Sequence, residues 1–209
     1  MAGILLHGRE RPAEEMIALA ERFALPGVRW LAPRAEAGLW YPNRFTDPIE
    51  GNEPMLTRSI ERCADTVGEA SEGGRIDASR IFIVGFSQGA CLALEYAQRF
   101  PQTCGALVAF TGALMGNDTE VTAQRRTAFD ERPVMITGSD VDEWVPEPYV
   151  HASADILGQC GARVVMRSYP QRPHSICEAE IADAGEFLAA ICAAERAWFL
   201  KKRLRSLIA

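Results

Sequence analysis

Two patterns of apolar positions alternate along the chain. Short apolar runs stand at Gly3–His7, Val28–Ala32, Ile81–Val84, Ala106–Phe110, Val134–Thr137 and Arg163–Tyr169. Between them lie longer stretches with apolar residues three and four apart, the spacing of a helix face. In Ala13–Phe23 these are Met16, Leu19, Ala20 and Phe23, with Pro12 ahead and Glu14 and Glu15 in the first turn, both signals of a helix start. Further helices are predicted over Glu53–Ser71, over the nearly all-apolar Gln88–Arg99, over 147–159 and over the chain's end. Unbroken apolar strands belong to parallel sheets covered on both faces. Strands alternating with helices give a doubly wound α/β sheet with right-handed crossovers. The expectation is one domain over residues 1–209: about six mostly parallel strands, helices on both faces, and no large separate lid. Residues 33–54, rich in Pro, Gly and aromatics, and 112–130 read as loops, and loops this long in a compact domain are usually functional.

Composition narrows the function classes. With 48% hydrophobic and 24% charged residues over 209 positions, the chain is neither disordered nor collagen-like, and it has no apolar run of about 18 residues to span a bilayer. Its net charge of −6 is a poor match for a phosphate backbone, so nucleic acid is not an expected partner. The start, MAGILLHGRE, has no basic region or cleavage site, and Gly3 stands one place too late for myristoylation. Six cysteines at 63, 91, 104, 160, 177 and 192 form no CxxC pair, and several fall in apolar helical stretches. They read as small core fillers of a reduced, cytoplasmic protein. No clustered metal-ligand spacing occurs.

The sharpest chemical signal is Gly85-Phe-Ser87-Gln-Gly89, a GxSxG that directly follows a strand and opens a helix, the context of a nucleophile elbow. Ser87 must sit on a tight, strained turn, and side chains two positions before and after it would collide, hence the glycines. A serine nucleophile needs a base, and the base needs an orienting acid. Of the histidines at 7, 151 and 174, only His174 lies after the last strand, as the order Ser, acid, His requires. Ser175-Ile-Cys-Glu178 behind it reads as a capping box opening the final helix. The loop after strand 134–137 offers three acids, Asp140, Asp142 and Glu143. Backbone amides of Gln88, after the nucleophile, and of Arg9, beyond the Gly8 turn, are the expected oxyanion donors.

These pieces together resemble the phospholipase/carboxylesterase family of α/β hydrolases, the group that includes acyl-protein thioesterases and bacterial carboxylesterases. The matching segments are LLHG at 5–8, LAPRAEAGLWYPNRF at 31–45, GFSQGA at 85–90, GSDVDEWVP at 138–146 and YPQRPHSI at 169–176, nearly the whole chain in order. The resemblance implies an α/β-hydrolase fold. It also implies serine-dependent cleavage of small-molecule carboxylic esters or thioesters, with no metal or organic cofactor. The acid of the family's D-x-x-V-P signature is Asp142 here. Asp140, two residues past Gly138, is placed to cap its own turn, and the longer Glu143 would hold an imidazole less rigidly. The family often has glycine before the catalytic histidine; here Pro173 stands there and restricts Arg172. Family members often pair, which raises a homodimer as an assembly.

The remaining features carry two readings each. Trp40, Tyr41 and Phe45 either wall an acyl pocket or anchor their own loop. Cys91, one helical turn past Ser87, reads as core packing. Lys201–Arg205 is a basic cluster that suits a helix C-terminus and a solvated face. A non-catalytic binder on the same fold would not need Ser, Asp and His in order. A dienelactone-hydrolase-like enzyme typically carries cysteine where Ser87 stands.

Overall fold

The computed structural model describes residues 1–123 and 129–208. Six strands, β1 (Ala2–Leu6), β2 (Arg29–Leu31), β3 (Ile81–Phe86), β4 (Ala106–Phe110), β5 (Pro133–Gly138) and β6 (Arg163–Ser168), form one sheet in the order β2-β1-β3-β4-β5-β6. Every neighbouring pair is parallel. The helices are α1 (Ala13–Arg22), α2 (Met55–Ala70), α3 (Gln88–Arg99), α4 (Asp118–Ala123), α5 (Glu147–Gln159) and α6 (Glu178–Ile208).

Alternate residues of the central strands β1, β3, β4 and β5 feed two separate cores. Ile4, Leu6, Ile83, Leu107, Ala109 and Ile136 face α2, α3 and α5 and meet Leu56, Ile60, Leu92 and Val150. Leu5, Phe82, Val84, Val108, Phe110 and Met135 face α1 and α6 and meet Met16, Leu19, Phe23, Ile181 and Leu188. Burial on both faces is why the strands lack the apolar–polar alternation of a one-sided sheet. Cysteines fill gaps in these layers: five are buried, and burial pushes the Cys63 thiol up to about 12 and the Cys91 and Cys104 thiols up to about 11. Among the described residues no helix is long and apolar enough to cross a membrane.

Register brings the strand ends level. Leu6 pairs with Gly85, Phe86 with Phe110, and Gly138 with Ser168. The turns after β1, β3, β4, β5 and β6 therefore emerge along one edge of the sheet, where open α/β sheets hold their sites.

Two loop expectations are corrected. Residues 33–54 contain short 3₁₀ turns at Glu36–Gly38 and Ile49–Asn52, and α2 begins at Met55, just past Pro54. Segment 112–130 contains α4, opened by a capping box. Asn117 Oδ1 accepts from the Thr119 and Glu120 amides, and Glu120 Oε2 accepts from the Asn117 amide. Residues 124–128 of that segment lie outside the described residues, as do the side chains of the basic cluster at 201–205.

Candidate active site

The turn between β3 and α3 is built around one strained residue. Ser87 has φ 53° and ψ −118°, a left-handed conformation that only a rigid surround sustains. Its amide donates to Phe110 O at 2.9 Å, and its carbonyl accepts from the Ala90 and Cys91 amides. The flanking glycines are forced. A Cβ on Gly85 would lie 2.4 Å from Gly89 O, and one on Gly89 would lie 2.2 Å from Leu6 O. These are backbone atoms, so neither clash can be relieved by turning a side chain.

Two distant loops complete the cluster. His174 Nε2 lies 2.8 Å from Ser87 Oγ, and its Nδ1 lies 2.8 Å from Asp142 Oδ2 and 3.0 Å from Oδ1. The carboxylate accepts only, so Nδ1 carries the proton and Nε2 accepts from the Ser87 hydroxyl. Asp142 Oδ1 also accepts from the Trp144 and Val145 amides, each at 2.9 Å. Burial alone would raise the Asp142 carboxyl, but the hydrogen bonds from His174 and the two amides outweigh it and hold it below the ordinary carboxylate range.

The competing acids take other places. Asp140 reaches beyond its own turn, where Ser139 Oγ donates to Oδ1 at 3.4 Å. Its Oδ1 accepts from the Gln171 amide at 2.7 Å, so it staples its loop to the histidine loop, helped by Ser139 Oγ donating to Arg172 O at 2.6 Å. Glu143 is exposed. His7 is buried away from the cluster: Nδ1 donates to Gly8 O and Nε2 accepts from the Ala35 amide. His151 sits exposed on α5, 3.9 Å from Glu147.

Arg9 and Gln88 converge on the long loop through their side chains. Arg9 Nη2 donates to the carbonyls of Tyr41, Pro42 and Asn43 at 2.8 to 3.0 Å. Gln88 Oε1 accepts from the Trp40 amide at 3.0 Å, and its Nε2 donates to Tyr41 O at 2.7 Å. The Glu10 and Arg11 amides of the β1 turn donate to Gly38 O and Gly8 O. Gln88 is the first residue of α3, where amides have no intrahelical acceptor.

The profile of the phospholipase/carboxylesterase family matches residues 4–192. The chain belongs to that family. It is 36% identical to a phospholipase/carboxylesterase from Dyadobacter fermentans, whose crystal structure superposes with a TM-score of 0.83 over 90% of this chain and 89% of that one. A probable carboxylesterase, SOBER1-like, from Arabidopsis thaliana is 26% identical over 83% of this chain and 71% of its own length. Acyl-protein thioesterase 1 of Mycosarcoma maydis is 27% identical over 85% of this chain and 83% of its own.

In this family member a cleft of about 760 Å³ opens over Ser87 and His174. Its walls combine apolar side chains from α1 (Met16, Leu19) and from Phe86, Trp144, Ile176 and Ile181 with the charged residues Arg9, Glu10, Arg11, Glu15 and Arg22. The aromatic trio at 40, 41 and 45 is not among its lining residues, which corrects the pocket-wall reading in favour of anchoring. Trp40 is fully buried; its Nε1 donates to His7 O at 2.8 Å and its carbonyl accepts from Ser59 Oγ at 2.6 Å. Tyr41 is buried in the same core, and Phe45 meets Tyr149 edge-on at 5.5 Å. The expected capping box at Ser175 is also displaced. The final helix starts at Glu178, and it is Glu180 that reaches back to the Cys177 amide, at 3.2 Å.

Sequence reasoning missed Trp144, which is 69% exposed at the cleft mouth with its ring 6.3 Å from that of His174. It also missed Arg172, whose side chain is 3% exposed and whose Nη1 lies 3.9 Å from Asp142 Oδ2. Its position beside Pro173 was the one available signal. Trp40→Ala should lower stability by about 3–5 kcal/mol, because a large buried side chain and its hydrogen bonds are lost together. Thermal unfolding and activity on esters of graded acyl length check this: an unchanged melting temperature with altered chain-length preference would return Trp40 to the pocket wall.

Proposed function

We propose that the chain hydrolyses carboxylic esters, and thioesters of the same acyl groups, through an acyl-enzyme on Ser87. The observation that carries the proposal is the continuous path Ser87 Oγ to His174 Nε2, and His174 Nδ1 to Asp142, at hydrogen-bond distance throughout. His174 takes the Ser87 proton as Oγ attacks the substrate carbonyl, and Asp142 holds the imidazole in the Nδ1–H tautomer and stabilises the imidazolium that forms. The amides of Gln88 and Arg9 receive the developing oxyanion, with α3's N-terminus adding its dipole. Collapse of the tetrahedral intermediate expels the alcohol or thiol, which takes the proton from His174. Water activated by His174 then attacks the acyl-Ser87 ester and frees the acid.

The family assignment supports ester hydrolysis, and likeness to an acyl-protein thioesterase supports the thioester branch. The apolar side chains in the cleft wall, Met16, Leu19, Phe86, Ile176 and Ile181, suit an acyl or alkyl group. The buried free thiols fit the reducing cytoplasm.

A fluorophosphonate probe should label the protein, and Ser87→Ala should abolish labelling. Ser87→Ala and His174→Ala should each lower kcat by roughly 10³-fold or more, with the double variant little worse, since the residues act as a unit. Single losses that multiply in the double variant would contradict this.

Asp142→Asn should cost on the order of 10⁴-fold in kcat through the wrong imidazole tautomer, with KM little changed. Asp140→Asn should leave kcat within about tenfold, because only a loop staple weakens. Steady-state kinetics on the two variants would show the reverse order if Asp140 were the acid. Activity should also survive prolonged EDTA treatment, assayed against an untreated control; a loss restored by zinc would require a metal in the reaction.

A further inference from the structure

Beneath the histidine loop lies a second ionic cluster with no part in the mechanism above. Arg172 and Glu180 are both buried, their side chains 3% and 0% exposed, with Arg172 Nε 3.3 Å from Glu180 Oε2. That N–H makes no aligned hydrogen bond, so the two interact chiefly as charges. Arg172 uses its remaining donors on Thr111 Oγ1 at 2.8 Å and on the carbonyls of Pro173 and Ser175, which bracket His174. Glu180 accepts from Thr137 Oγ1 on β5 and from the Cys177 amide. On its other side the guanidinium reaches Asp142 at 3.9 Å, and Asp142 holds His174. The buried sequence of charges is therefore Glu180, Arg172, Asp142, His174: minus, plus, minus, and a ring that becomes plus during attack.

The geometry points to Glu180 as a positioning residue that sets the basicity of His174 by neutralising Arg172. Arg172 without a counter-charge pulls on Asp142 and disfavours the imidazolium. An ionised Glu180 cancels that pull. Removing the Glu180 charge alone thus makes His174 a weaker base, and removing the Arg172 charge as well restores it. A purely structural pair behaves differently: deleting its second member cannot repair deletion of the first. This inference rests on His174 being the base of the proposed reaction.

The surrounding charges are few. Asp142 and Arg172 face Glu180 from the β5–α5 and β6–α6 loops, Tyr169 with its partner Asp183 from the end of β6 and α6, and Cys177 from the start of α6. The Arg22–Glu178 pair lies on the exposed side. Burial pushes the Glu180 carboxyl above its ordinary range, against the pull of Thr137 and Arg172. Glu180 is therefore protonated at higher pH than a surface glutamate.

The test is an NMR titration of the His174 ring in the full chain, read without substrate. Glu180→Gln should lower the His174 midpoint by on the order of one pH unit, the size expected for one charge at this range and an intermediate dielectric. Arg172→Gln/Glu180→Gln should bring it back to within about 0.3 unit of the unsubstituted chain. In kinetics, Glu180→Gln should shift the acid limb of kcat/KM to lower pH and reduce kcat with KM nearly constant, again reversed in the double variant. An unmoved midpoint in Glu180→Gln, or a double variant as shifted as the single, overturns the inference. Should a variant fail to fold, the unsubstituted chain decides: the His174 ring must shift a second time at the midpoint of the Glu180 carboxyl carbon, and a ring blind to that titration overturns it. Activity that survives Ser87→Ala would instead sink the proposed function while leaving the ring titration readable.

Discussion

The site depends on one close approach of bare backbone. The first turn of α3 presses on the ends of β1 and β3 so tightly that a single Cβ at Gly89 would lie 2.2 Å from a main-chain oxygen of β1. That contact holds Ser87 at φ 53° and lifts its hydroxyl off the sheet toward His174. Because both partners are backbone, the cost of the strained conformation is met by the packing of whole elements rather than by a side chain that could relax. The two apolar layers, one under α1 and α6 and one under α2, α3 and α5, keep those elements in place.

Rigidity spreads from this crossing through polar side chains. Gln88 is both the residue after Ser87 and the anchor of Trp40 and Tyr41; Arg9 is both part of the β1 turn and the clamp on three carbonyls of the same loop. On the far side, Asp140, Ser139 and Arg172 join the acid loop to the histidine loop. Each loop of the Ser87–His174–Asp142 cluster is thereby fixed to another loop as well as to the sheet, and hydrogen-bond geometry held to a few tenths of an ångström needs that second support.

Much of this was legible in the residues. The strand–helix alternation placed all six strands to within two residues, because burial on both faces leaves uninterrupted apolar runs. Ser87 was legible because its turn has a steric signature in Gly85 and Gly89. The rest depended on tertiary context. Trp40 and Tyr41 read equally well as pocket or anchor until their hydrogen-bond partners, far away in sequence, were in view. Arg172 looks like a solvated loop cation and Glu180 like a polar helix position; only folding buries them together. Asn117 and Glu120 are a local capping signal in a stretch that reads as a loop.

The attachment of residues 40–43 has a consequence for how this scaffold can diversify. The stretch is bound at once to Gln88, the residue after Ser87, and to Arg9 of the β1 turn, so exchanges there disturb the Ser87 cluster first. The opposite wall of the cleft is different: no side-chain hydrogen bond ties Met16 and Leu19 on α1 or Ile176 ahead of α6, all apolar, to that stretch. Exchanges on that wall reshape the cleft while leaving residues 40–43 and their anchors in place.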